Sequence, residues 1–155
     1  MTEPVEHTNF VIERDLPGSV RHAFRFWSDP SLKQRWSGCH ADWTVLEDAF
    51  DFRAGGRERK RWRTPEGREL GFGAVYLDVV PEARIVYAYE MRLDGALLSA
   101  SLVTVELSAR DGGTRMRFTE QAAFVSGGDR EQRIDGTNEG FDRLVEALAD
   151  ESGSV

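Results

Sequence analysis

Between positions 41 and 124 the chain reads as a run of extended segments parted only by tight turn signals. The segments are "ADWTVLEDAF", "RERKRWR", "ELGFGAVYLDVV", "ARIVYAYEMRL", "LLSASLVTVELSA" and "TRMRFTEQAAF". The punctuation between them is Gly55-Gly56, Pro65-Glu66-Gly67, Pro81, Asp94-Gly95 and Asp111-Gly112-Gly113. Parallel neighbours need a crossover of a dozen or more residues, so connections this short restrict the segments to an antiparallel meander. Parity then assigns the faces. Ile85, Tyr87, Tyr89 and Met91 fall on one side, as do Val103, Val105 and Leu107. Met116, Phe118, Glu120 and Ala122 share a face, with Arg115, Arg117 and Thr119 opposite. One side is dry and one wet, the pattern of a sheet covered on a single face.

The ends of the chain supply the cover. "TNFVIERDL" alternates, with Phe10, Ile12 and Arg14 on one side, and adds a first strand. Val20, Ala23, Phe24 and Trp27 then fall at i, i+3, i+4 and i+7, one stripe of a short helix. Asp29 and Pro30 stand in the order of an N-cap and a first-turn proline, which starts a second short helix with Leu32 and Trp36 adjacent on it. The break makes a corner, so Trp27 and Trp36 can face one interior. After Ser126-Gly127-Gly128, Asp129 and Gln132 resemble a capping box. Ile134, Phe141, Leu144, Val145 and Leu148 form the apolar stripe of a terminal helix that Gly153 can end. Gly136 and Gly140 each cost that helix about 1 kcal/mol relative to alanine. Close approach or deliberate space must compensate, or the helix begins after Gly136.

The order of strand, two short helices, antiparallel sheet and long terminal helix resembles the START-like helix-grip (SRPBCC) superfamily. The branch is the one related to the C-terminal domain of the heat-shock-protein-90 ATPase activator. The matching pieces are "AFRFWSDPSLKQRW", "FRAGG", "GAVYLDVVPEARIVYAYE", "GGTRMRFTE" and "GFDRLVEALA", with Phe141 where tryptophan is commoner. The resemblance spans about residues 8–150 of a single domain over 1–155. It implies an α+β helix-grip fold: a curved antiparallel sheet wrapped around the C-terminal helix, with a cavity between them for a hydrophobic or amphipathic small molecule. Trp27 and Trp36 would line or gate the cavity mouth, and Phe141 would shape its roof.

The remaining aromatic residues, Trp43, Trp62, Phe72, Tyr76, Tyr87 and Tyr89, with Met91 and Phe118, suit either a solid core or the wall of that cavity. Buried tyrosine hydroxyls need partners, and a pocket with a few convergent polar groups is the usual form of a small-molecule site. Glu120 follows Met116 and Phe118 on the dry face, where a carboxylate is expensive unless paired. It either pairs with an arginine or opens to solvent, or it orients a ligand, or serves as a general base.

No catalytic constellation stands out. His7, His22 and His40 have no metal-ligand spacing, so no metal and no cofactor is expected. Cys39 and His40 point apart in extended chain. Only Lys33 and Lys60 are lysines, which leaves few amines for imine chemistry. Binding therefore ranks ahead of a cyclase- or hydrolase-like enzyme with a carboxylate or tyrosine as acid–base, and well ahead of a chaperone adapter. The net charge of −7 argues against nucleic acid. From Arg53 to Arg68, however, seven basic residues face two acidic ones. The Arg57–Arg63 strand is thus a solvated face with acidic neighbours, or a site for an anion or acidic partner. The exposed edges of such a sheet, and the basic strand against an acidic surface elsewhere, also allow a homodimer. A lone Cys39, no signal-peptide pattern and no apolar run of membrane-spanning length fit a cytoplasmic protein.

Overall fold

The computed structural model describes residues 4–38, 40–126 and 129–152. Seven strands form one antiparallel sheet in the order β1-β7-β6-β5-β4-β3-β2. They are β1 (Glu6–Leu16), β2 (Thr44–Phe50), β3 (Arg57–Arg63), β4 (Glu69–Val80), β5 (Arg84–Leu93), β6 (Ala96–Arg110) and β7 (Gly113–Phe124). Strands β2 to β7 are the meander that the turn signals require. The β5–β6 and β6–β7 hairpins turn on Asp94-Gly95 and Asp111-Gly112, where φ is +50° at each aspartate and +84° and +81° at the glycines. Two consecutive left-handed residues match the twist of the flanking strands, and Asp-Gly is the pair that adopts them most readily. Between Tyr76 and Asp78 the register shifts, leaving Leu77 54% exposed as an extra residue on the outer side. Such a bulge bends the sheet.

Helices α1 (Val20–Ser28) and α2 (Pro30–Ser37) follow β1. Ser19 caps α1 by accepting from His22 N at 3.0 Å, and Asp29 caps α2 by accepting from Ser31 N at 2.9 Å. The expected Asp-Pro corner is present, with Pro30 in the first turn. Helix α3 (Arg130–Ser152) begins before Gly136, with Gln132 N donating to Asp129 Oδ1 at 2.8 Å. A later start after Gly136 is therefore corrected. A Cβ built at Gly136 would meet nothing within 4 Å, so close approach does not explain that glycine. The proposed stop at Gly153, the glycines of the Ser126-Gly127-Gly128 loop and the reading of Cys39 fall outside the described residues.

Helix α3 packs against α1, α2 and β1 over the inner face of the sheet. Arg14 is on that inner face and reaches α3, 2.9 Å from Asp142 Oδ1 and 2.9 Å from Asn138 Oδ1. Arg143 Nε donates to Trp36 O at 3.1 Å, tying α3 to α2. The core beneath runs through Ile85, Val103, Val105, Met116, Leu144 and Leu148, each fully buried. Among the described residues no helix is long and apolar enough to cross a membrane.

Candidate functional site

Two buried polar clusters interrupt the inner face. The first follows from strand parity: with Arg57, Arg59 and Arg61 outward on β3, Glu58 and Lys60 must turn inward. Lys33 descends from α2, three residues before Trp36 and on the same side. Its Nζ donates to Glu58 Oε1 at 2.6 Å and to the Tyr76 hydroxyl at 3.0 Å. Tyr76 in turn donates to Glu58 Oε1 at 2.7 Å. Lys60 Nζ stands 3.5 Å from Glu58 Oε2, and Lys33 Nζ lies 4.8 Å from the centre of the Phe50 ring. Burial lowers the Lys33 pKa, a pull that Glu58 only partly offsets. Burial alone would raise Glu58, but Lys33, Lys60 and the Tyr76 hydroxyl hold it below the ordinary glutamate range. Every group here has its partners, so the cluster fastens α2 to the sheet.

Both lysines of the chain therefore converge on one carboxylate, at 9% and 8% exposure. Acylation of the native protein with an amine-directed reagent is expected to leave Lys33 and Lys60 unmodified, and peptide mass spectrometry should find both labelled after denaturation. Rapid native labelling of either lysine would place it outside the cluster.

The second cluster centres on Glu120 of β7, which is 0% exposed. Its Oε2 accepts from the Tyr89 hydroxyl, Ser101 Oγ and Arg133 Nη1, each at 2.8 Å. Arg133, from the first turns of α3, also donates through Nη2 to Ser99 Oγ at 2.6 Å. Its guanidinium lies 5.1 Å from the centre of the Phe124 ring. Glu120 is thus paired with an arginine, but its Oε1 is buried without a hydrogen-bond partner among the described residues. Such an atom is uncommon and calls for a physical reason.

Tyr87 lies between the clusters, opposite Tyr76 on β4 and opposite Val103 on β6, which in turn faces Glu120. Burial raises the pKa of all three tyrosines. Glu58 adds to the effect at Tyr76, Glu120 adds to it at Tyr89, and Tyr89 with both carboxylates adds to it at Tyr87. At neutral pH these phenols keep their protons, and Tyr76 and Tyr89 act as hydrogen-bond donors, not bases.

The sequence-predicted residues divide into groups. Trp27, Trp36, Phe118 and Phe141 form a packed core, with ring centres 4.8 Å apart for Trp27–Trp36, 6.4 Å for Trp27–Phe141 and 5.1 Å for Phe118–Phe141. Trp36 Nε1 donates to Phe26 O at 2.8 Å, whereas buried Trp27 Nε1 has no partner among the described residues. The expectation that the two tryptophans line or gate a cavity mouth is corrected: α1, α2 and α3 converge there and bring the rings into contact. Trp43 precedes β2 and sits against His40 at 4.7 Å, apart from the inner-face aromatics.

Phe72, Tyr87 and Tyr89 do come together as half-buried groups, 5.2 Å apart for Phe72–Tyr89 and 6.0 Å for Tyr87–Tyr89. Fully buried Tyr76 touches Tyr87 at 5.7 Å. Met91 is opposite Phe72, and Trp62 is opposite Leu70, on the same face and also half-buried. Sequence reasoning missed Lys33, Glu58, Lys60, Ser99, Ser101 and Arg133. Alternation on β3 and the parity of Ser99 and Ser101 with Val103 were available signals; nothing local marked Arg133. On the outer face the basic strand has acidic neighbours, with Arg61 2.9 Å from both Glu47 and Glu69. Among the described residues no group of three His, Cys, Asp or Glu could hold a metal ion.

The fold recurs in solved structures. An uncharacterized protein from Rhizobium leguminosarum is 44% identical with a TM-score of 0.89, over 95% of this chain and 97% of that one. A Rhizobium loti protein is 40% identical with a TM-score of 0.80, over 96% and 99%. An AHSA1-like protein from Aeromonas hydrophila, 18% identical with a TM-score of 0.69 over 94% of each chain, shares the fold. No curated protein matches. The family model described as activator of Hsp90 ATPase homolog 1-like protein matches residues 18–152, nearly the whole length, with the seven-stranded curved sheet and long C-terminal helix of the helix-grip fold. The chain belongs to the activator of Hsp90 ATPase homolog 1-like family.

Proposed function

We propose that the chain binds an amphipathic small molecule against the inner face of β3–β6, with its polar end at Glu120. The observation that carries this reading is the bare Glu120 Oε1, fully buried beside a half-buried wall of Phe72, Tyr87 and Tyr89. Arg133 already balances the carboxylate charge, so the open lone pair favours a neutral donor such as a hydroxyl or amide N–H over a cation. The aromatic wall supplies apolar area for the rest of the molecule. Three protonated phenols and a carboxylate held by three donors suit orientation better than proton transfer, which places binding ahead of a cyclase or hydrolase. Family membership by itself assigns no chaperone partner.

A thermal-shift series with apolar alcohols and amides tests the reading. A ligand at a hundredfold excess over its Kd stabilises by about 2.7 kcal/mol, which raises Tm by about 5–10 °C for a domain of this size. Glu120→Gln places an NH2 donor where Oε1 accepts, so a hit that offers only an amide N–H there is expected to bind at least tenfold less tightly. If no compound shifts Tm, or if the variant binds that amide as tightly as the parent, the site is not where ligand is held. Turnover of a hit would replace the binding reading with an enzymatic one.

A further inference from the structure

The opposite side of the sheet carries a recess of about 570 Å³, across β3, β4, β5 and the start of β6. Its floor is Gly71, Gly73 and Val75 of β4 with Ala88 and Ala100 beside them. Arg57, Arg59 and Arg61 form the β3 wall; Glu90 and Arg92 stand on the β5 side, and Glu69 closes one end. Register places Gly71 between Arg61 and Arg92, and Gly73 between Arg59 and Glu90.

A left-handed turn does not explain the two glycines. Neither has a positive φ. A Cβ at Gly71 would lie 3.8 Å from the Arg92 Cβ, and one at Gly73 would lie 3.6 Å from the Glu90 Cγ, both ordinary contacts. Glycine weakens a strand interior, and where no bulge or bend needs it, it marks close approach by a ligand or another backbone. The floor is thus cleared for something that lies flat on it.

Charge and spacing describe the occupant. The outward-facing rim holds Arg57, Arg59, Arg61 and Arg92 against Glu69 and Glu90, a positive surface on a chain whose net charge is −7. Arg92 is paired with Glu90 at 3.0 Å and Arg61 with Glu69 at 2.9 Å. The Arg57 guanidinium has no ion pair among the described residues, and Arg59 only a long one, 3.9 Å to Glu47. The β3 arginines alternate along the strand, about 6.6 Å apart, and the floor from Gly71 to Val75 is about 13 Å long. An extended peptide presents alternate side chains at the same interval. Single-stranded nucleic acid would call for aromatic platforms, but Phe72 and Tyr89 border the recess with their rings on the inner face.

We infer that this outer groove docks an extended acidic segment of a partner protein, its carboxylates at alternate positions meeting Arg57 and Arg59 and its backbone lying on Gly71 and Gly73. The inference is independent of the inner-face site.

Fluorescence anisotropy with a labelled eight-residue peptide of alternating Glu and Thr tests it. The peptide is expected to bind wild-type protein, to weaken as salt is added, and to bind Arg57→Glu at least tenfold less tightly; its Lys–Thr counterpart should not bind. Arg57 is exposed, so the variant should fold normally. Gly73→Val suits a strand and should keep or raise Tm while also reducing peptide binding at least tenfold. No binding by the Glu–Thr peptide would overturn the proposal, as would undiminished binding by either variant. Tighter binding of an oligothymidylate, or wild-type dimerisation in sedimentation that Arg57→Glu abolishes, would also overturn it and assign the groove to nucleic acid or to a second copy of the chain.

Discussion

Glu58→Gln is expected to lower the folding free energy by about 3–5 kcal/mol at neutral pH, as when one partner of a buried ion pair is removed. The substitution strands Lys33 and Lys60 beside each other at 9% and 8% exposure, and among the described residues Lys33 has no other carboxylate within ion-pair distance. The size of the loss depends on pH in a defined direction. The folded-state pKa of Glu58 is depressed by its two ammonium neighbours and the Tyr76 hydroxyl, against the opposing effect of burial. Its contribution is therefore complete above the unfolded glutamate value of about 4.3 and declines as pH falls through the folded value. Urea titrations of wild type and variant should show their widest separation near neutrality and converge below about pH 4. A constant gap across that range would mean that Glu58 does not carry its charge in the folded protein.

Arg133→Met is expected to cost about 3–5 kcal/mol, because it leaves Glu120 buried with hydroxyl donors only. Adding Glu120→Gln should restore most of that stability, since the carboxylate charge is gone. A double-mutant cycle in denaturant measures the coupling. Equal and additive losses would show that Arg133 contributes through its contact with the Phe124 ring and Ser99 instead of through charge. The cycle matters for function because Arg133 sits on α3 and Glu120 on β7, so the same pair that neutralises the site also joins the start of the helix to the sheet.

The fold was legible because its determinants are local and repetitive. Asp94-Gly95 and Asp111-Gly112 specify hairpins through their own backbone preferences, and Val20, Ala23, Phe24 and Trp27 define a helical stripe without knowledge of what covers it. The site was legible only in part. Tyr76, Tyr87 and Tyr89 and the carboxylate of Glu120 could be assigned to the inner face by parity, but their partners come from distant chain: Tyr89 meets Arg133 across 44 residues and Tyr76 meets Lys33 across 43. Trp27 and Trp36 misled because a large ring on a buried stripe has the same spacing whether it borders a void or fills one. Along the sequence the segment from Arg57 to Arg63 is one basic unit, although alternation places Glu58 and Lys60 inside and Arg57, Arg59 and Arg61 outside. Averaging charge along a strand hides what its two faces do.

Strand β1 is held through an unbroken register with β7, from Glu6 opposite Phe124 to Leu16 opposite Thr114. The first of the seven strands is thus completed by the seventh. Until Phe118 and Glu120 of β7 have emerged, Ile12 and Phe10 have no strand to lie beside, and α3, which follows, has no finished surface to close upon. During synthesis the sheet stays incomplete until β7 is made, and the cooperative transition to the native state waits for β7 and α3.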